Sequence, residues 1–153
     1  MIYLLNIEPD DNGTVMLTCP AFPEVTSFAE EGPEMKAHAW RNGLAAIEEA
    51  IAARMSDGEA IPRSATQAQI AKHKGVFVKL PLMTELKVQL YIALRESDVA
   101  TRAELARRMN KPREQIDRLF RLDHLSRTDQ IQSAFRALHR DIDVQIKEID
   151  AAR

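Results

Sequence analysis

Asn110-Lys111-Pro112 separates two helical patterns so closely that the chain on either side can only fold as a crossed pair of helices. Leu105, Ala106 and Met109 recur with helical spacing before it, and Ile116, Leu119 and Phe120 recur after it. A turn of about three residues brings the second helix across the first, a geometry that needs a small residue at the crossing, and Ala106 supplies it. Asn110 tolerates the left-handed backbone that such a turn demands. Pro112 is expected as the first helical residue, where its missing N–H leaves nothing unsatisfied. Ile116 then fills the angle between the helices.

With Ile116, Leu119 and Phe120 turned inward, Arg113, Glu114, Asp117, Arg118 and Arg121 face outward. Landmarks at this spacing, with an exposed basic second helix, are those of a DNA-binding helix-turn-helix. Arg113 and Arg118 suit bidentate pairing with guanine, and Glu114 suits a cytosine amine. Arg102, Arg107, Lys111 and Arg127 lie at helix ends and turns, where phosphate contacts are expected. The competing reading is a solvated face on a small helical bundle.

Other helices complete that bundle. After Pro81, the run Met83, Leu86, Leu90 and Leu94 marks an amphipathic helix. Thr101 is placed to cap the next helix, with Glu104 completing a capping box. Thr128 is placed to cap a last helix that buries Ile131, Ala134, Phe135 and Leu138. The tail alternates Ile142, Val144 and Ile146 with Asp143, Gln145 and Lys147, which predicts a terminal strand. Its open edge would pair with a second copy, so a homodimer or higher oligomer is expected, built through residues 82–153. Two recognition helices about 34 Å apart would then read an inverted repeat in operator DNA.

Charge divides the chain in the same place. Residues 1–60 hold Lys36, Arg41 and Arg54 against eleven acidic side chains, a net charge of −8, whereas the whole chain is −2. Residues 101–140 hold ten Lys/Arg against five Asp/Glu. The basic half suits a phosphate-bearing partner, and the acidic half would repel one. At 153 residues and 45% hydrophobic content, the chain is globular and makes one domain or two small ones. No apolar run is long enough to span a membrane. The start, MIYLLNIEPDD, lacks the basic region and apolar core of a signal peptide. The single Cys19 forms no internal disulfide, and a cytoplasmic location is expected.

The front half reads as an α+β unit. Residues 2–7 form a strand, Asp10-Asp11-Asn12-Gly13 a hairpin turn, and residues 15–19 and 25–28 two further strands. Gly32-Pro33-Glu34 opens a helix of about twenty residues with an apolar stripe of Trp40, Leu44, Ile47, Ile51 and Met55. Gly43 beside the stripe points to close approach to the sheet, and Asp57-Gly58 ends the helix. Residues 62–74 read as an exposed connection to a strand at residues 76–80.

Catalysis is not expected. Glu8, Asp10, Asp11, Glu24, Glu30, Glu31 and Glu34 crowd strand ends and turns, with no second acidic cluster to complete a two-metal site. His38, His73, His124 and His139 share no ligand spacing, so neither a metal nor a cofactor is expected. No nucleophile elbow, phosphate loop or dinucleotide fingerprint is present.

The strand at residues 3–7, the Asp10–Gly13 turn, Ala21-Phe22-Pro23-Glu24-Val25-Thr26, the alanine-rich helix, its exit Asp57-Gly58-Glu59-Ala60-Ile61-Pro62 and the strand at 76–80 together resemble the HicB antitoxin family. With the helix-turn-helix, the resemblance covers nearly the whole chain. It implies a partial ribonuclease H-like sheet with one covering helix over residues 1–80, which blocks a HicA-type toxin that cleaves messenger RNA. It implies that residues 82–153 bind the promoter of the chain's own operon. Asp10, Asp11, Phe22, Glu24, Glu30, Glu31, Glu34 and His38 are the candidate toxin contacts. The alternatives are a transcriptional regulator whose front domain senses a ligand or oligomerises, and a metal-dependent nuclease.

Overall fold

The computed structural model describes residues 1–148 of the chain. Strands β1 (Ile2–Pro9), β2 (Thr14–Cys19) and β3 (Phe22–Glu30) form an antiparallel meander. Asn12 and Gly13 both take positive φ in the first turn, the conformation that lets a tight hairpin follow the strand twist. Helix α1 (Met35–Asp57) packs on one face of the sheet, and Gly58 ends it in a left-handed conformation. A short helix α2 (Gln67–Lys72) leads to β4 (Val76–Lys79), which pairs with β1 to give the order β3-β2-β1-β4.

Gly43 packs directly on Leu5, and a Cβ there would overlap the Leu5 side chain. This close approach moves the apolar face of α1 from its expected line. Ala39, Gly43, Ile47, Ala50, Ile51 and Met55 are buried, while Trp40 is displaced to the flank and 44% exposed. The expected connection at 62–74 is largely exposed but holds a short helix. Thr66 and Gln69 form a full capping box that starts α2, with the Gln69 N–H donating to Thr66 Oγ1 at 3.2 Å and the Thr66 N–H to Gln69 Oε1 at 2.8 Å.

Four helices follow: α3 (Leu82–Glu96), α4 (Arg102–Met109), α5 (Arg113–Leu119) and α6 (Thr128–Ala137). One continuous apolar cluster runs from Tyr3, Leu5 and Ile51 through Val78 and Leu80 to Leu90, Leu105, Ile116 and Ile131. Polar bonds cross the same boundary. Tyr91 Oη donates to the Glu59 carbonyl at 2.7 Å, and Thr84 Oγ1 donates to Glu48 at 2.7 Å.

Several helix ends differ from expectation. Thr101 Oγ1 does accept the Glu104 N–H at 3.2 Å, but the Glu104 carboxylate turns to Arg107 and Arg108, so only half of the box forms. Pro112 has an extended ψ of 141° and precedes α5 as its cap, one residue outside the expected first helical position. Arg127, not Thr128, occupies the cap of α6, and its side chain makes no capping bond to the helix backbone. The expected terminal strand does not form: residues 141–148 run in irregular backbone, with Val144 and Ile146 exposed. Alternation alone gives a strand no partner, and the N–H and C=O groups of a ladder need one.

Candidate functional site

The α4–α5 pair carries most of the candidate contacts. The three-residue connection expected at 110–112 is present, and Asn110 takes φ 49° and ψ 48°. Its N–H and that of Lys111 return to the last carbonyls of α4, the Lys111 N–H to Ala106 at 3.0 Å. Leu105, Ala106, Ile116, Leu119 and Phe120 are buried, so the opposite side of α5 is fixed as an outer face. Arg113, Glu114 and Arg118 are exposed on it, and Lys111 stands exposed in the turn before it.

Internal partners sort the remaining side chains. Arg107 pairs with Glu104 at 2.6 Å but stays 76% exposed. Asp117 is held between Arg113 at 3.6 Å and Arg102 at 3.7 Å, so its carboxylate is occupied by the protein itself. Arg121 and Arg127 are each gripped through two nitrogens by the aspartate two residues on, Asp123 and Asp129. The Arg121 fork holds the Asp123 carboxyl below the usual carboxylate range and raises the Arg121 guanidinium. Arg118 and Lys111 have no carboxylate partner among the described residues, which leaves their charges available outward. Arg102 departs from the expected phosphate position. It stacks on Phe120 and donates to the Met55 carbonyl at 3.3 Å, facing α1.

The acidic candidates fall into two places. The Glu31 N–H donates to the Gly13 carbonyl at 3.0 Å, bringing the Asp10–Gly13 turn beside the end of β3. Asp10, Asp11, Glu30 and Glu31 are therefore exposed together at one corner of the sheet, with Glu34 at the cap of α1. A hollow beside them is lined by Glu30, His38, Arg41, Asn42, Thr14 and Phe28, so His38 joins this group. Glu24 and Phe22 lie elsewhere. Phe22 is fully buried, edge-on to Tyr3, and Arg54 stacks above it while pairing through two nitrogens with Glu24 at 2.6 and 3.0 Å. Phe22 thus belongs to the core, and that bond draws the Glu24 carboxyl below its usual range.

One buried cation escaped the sequence reading. Lys87 stands on the inner face of α3, 1% exposed, and its ammonium meets the backbone at the end of α5 and in the turn after it. Burial pushes it below the ordinary lysine range, with Asp123 opposing and Arg121 adding to the fall. A lysine between Leu86 and Val88 in an amphipathic pattern was the only signal for it.

No protein-family model matches the chain. The antitoxin HicB of Escherichia coli strain K12 is 31% identical over 142 residues, which cover 93% of this chain and 96% of the relative. The antitoxin HicB of Pseudomonas fluorescens strain Pf0-1 is 31% identical over 140 residues, covering 92% of this chain and 90% of that protein. The chain belongs to the HicB antitoxin family. Its likeness to these HicB proteins therefore spans the acidic sheet and the basic helices alike. In this HicB family member no helix among the described residues is long and apolar enough to cross a membrane. Nor do three His, Cys, Asp or Glu side chains come together there as a metal site would need.

Proposed function

We propose that this chain is an antitoxin that neutralises a HicA-type, messenger-RNA-cleaving toxin and represses its own operon. Residues 1–80, read as a partial ribonuclease H-like unit, cover the basic RNA-binding surface of the toxin. The corner formed by Asp10, Asp11, Glu30, Glu31, Glu34 and His38 is the contact of opposite charge. The action is occlusion and uses no chemistry of the chain's own. Residues 82–153 form a helix-turn-helix domain that places α5 in the major groove, with Arg113, Glu114 and Arg118 toward base edges and Lys111 and Arg107 toward phosphates. Arg121 and Arg127 reach phosphates only when their aspartate forks open. A homodimer reads an inverted repeat.

The observation that carries this reading is the family relationship across more than nine-tenths of the chain, joined to an α5 whose exposed Arg118 has no carboxylate partner among the described residues. Co-expression with the small open reading frame adjacent to its gene tests it. A stable complex, and growth arrest when the neighbour is expressed alone, are expected. No partner and no toxicity would leave a DNA-binding regulator with a repurposed front domain.

A further inference from the structure

Lysine is seldom buried, because its ammonium loses water and must recover every hydrogen bond inside the protein. Lys87 recovers all three. Nζ donates to the carbonyls of Arg121 and His124 and reaches that of Arg118 at 3.5 Å, matching three donors to three acceptors. Those carbonyls end α5 and the turn after it. That end has no glycine and no left-handed residue: Phe120, its cap, takes φ −102° and ψ 2°. The glycine or left-handed closure is thus absent: the end tightens instead through the Phe120 N–H to the Asp117 carbonyl at 3.1 Å and the Arg121 N–H to that of Arg118 at 3.3 Å, and a cation from α3 adds to these bonds at the negative end of the helix dipole. The Arg118 carbonyl also accepts from the buried Ser126 hydroxyl at 3.5 Å. The backbone of Arg118 is therefore held from below while its side chain is exposed above.

We propose that Lys87 is a positioning residue for operator recognition: its buried ammonium fixes the end of α5 on α3 and so sets how Arg118 is presented to DNA. This rests on the operator-binding reading above. An ammonium suits the task better than a guanidinium, because three rotatable donors can converge on three carbonyls and a planar fork cannot. At 1% exposure, Lys87 cannot itself touch a phosphate.

The test compares wild type, Lys87→Met and Lys87→Arg for binding to the fragment upstream of the chain's own gene and to random DNA of equal length, across a salt series. For Lys87→Met, operator affinity falls about tenfold or more while random-DNA affinity stays within about threefold and the salt slope is unchanged. Amide exchange in residues 116–124 speeds up relative to α4. Unchanged operator affinity overturns the role. A salt slope lower by about one also overturns it, since Lys87 would then be a phosphate contact. If Lys87→Met does not fold by circular dichroism, Lys87→Arg decides: the same selective operator loss supports the role, and wild-type affinity overturns it. Wild-type protein that binds neither DNA overturns the operator reading itself, and this role with it.

Discussion

The Arg102 guanidinium lies over the ring of Phe120, 4.8 Å from its centroid, so that α4, the end of α5 and the last turn of α1 meet at one side chain. The same guanidinium approaches Asp117 at 3.7 Å. Its charge is spent inside the molecule, on a ring face, a carboxylate and the Met55 carbonyl.

Arg102→Ala is therefore expected to lower stability by about 1–2 kcal/mol, from the lost cation–π contact and the Met55 hydrogen bond. Urea unfolding measures it. Because no phosphate contact is removed, the salt dependence of DNA binding should keep its slope. A slope reduced by about one would return Arg102 to the phosphate-binding set.

Arg118→Ala should weaken binding to the operator by about 1–3 kcal/mol, with random DNA much less affected and toxin capture intact. Competition binding against both DNAs reads the difference. Equal losses on the two would make Arg118 a backbone contact.

The Glu24–Arg54 pair makes stability depend on acidity. The Glu24 carboxyl is drawn below its usual range, first by the hydrogen bond from Arg54, so the pair's contribution is present above the ordinary carboxylate range and fades as pH falls through the lowered value. Glu24 is 43% exposed, so screening by water keeps the contribution near about 0.5–1 kcal/mol. Glu24→Gln should show that deficit at neutral pH and converge with the wild type in acid. A deficit that persists unchanged at low pH would rule out the ion pair as its source.

Cys19 is 2% exposed, and burial first, with Glu24 nearby, raises its thiol above the ordinary value. A protonated, covered thiol is a poor nucleophile. Labelling by a disulfide reagent at neutral pH should be slow in the native state and become fast in denaturant. Fast native labelling would mean that the β2–β3 turn opens readily.

The order of the front half was legible because each signal there is local. Asn12-Gly13 dictates a hairpin, Asp57-Gly58 ends a helix, and Gly43 announces close contact. The tight turn at Asn110 was legible for the same reason. What sequence could not supply came from tertiary contact. Trp40 lies on the extrapolated stripe, yet the sheet comes too near for it at Gly43. Lys87 breaks an apolar pattern, and its reason becomes visible only when three carbonyls from residues 118–124 arrive around it. Phe22 reads as a candidate toxin contact until Tyr3 and Arg54 are seen to enclose it. The Ile142–Ile146 alternation specifies a ladder only if another backbone is there to take it. Conversely, Thr66 and Gln69 already carried the capping signature of α2, two residues that a polar, weakly patterned stretch conceals.

Only Leu80 and Pro81 stand between β4 and α3, and both Leu80 and the start of α3 are pinned to neighbours rather than left as a tether. The sheet and the helices therefore meet at a two-residue joint that is itself packed against the core. On the proposed twofold operator, the bearing and separation of two captured toxins would be dictated by the pitch of the DNA, and a toxin too bulky for that spacing would have to lever the pair off.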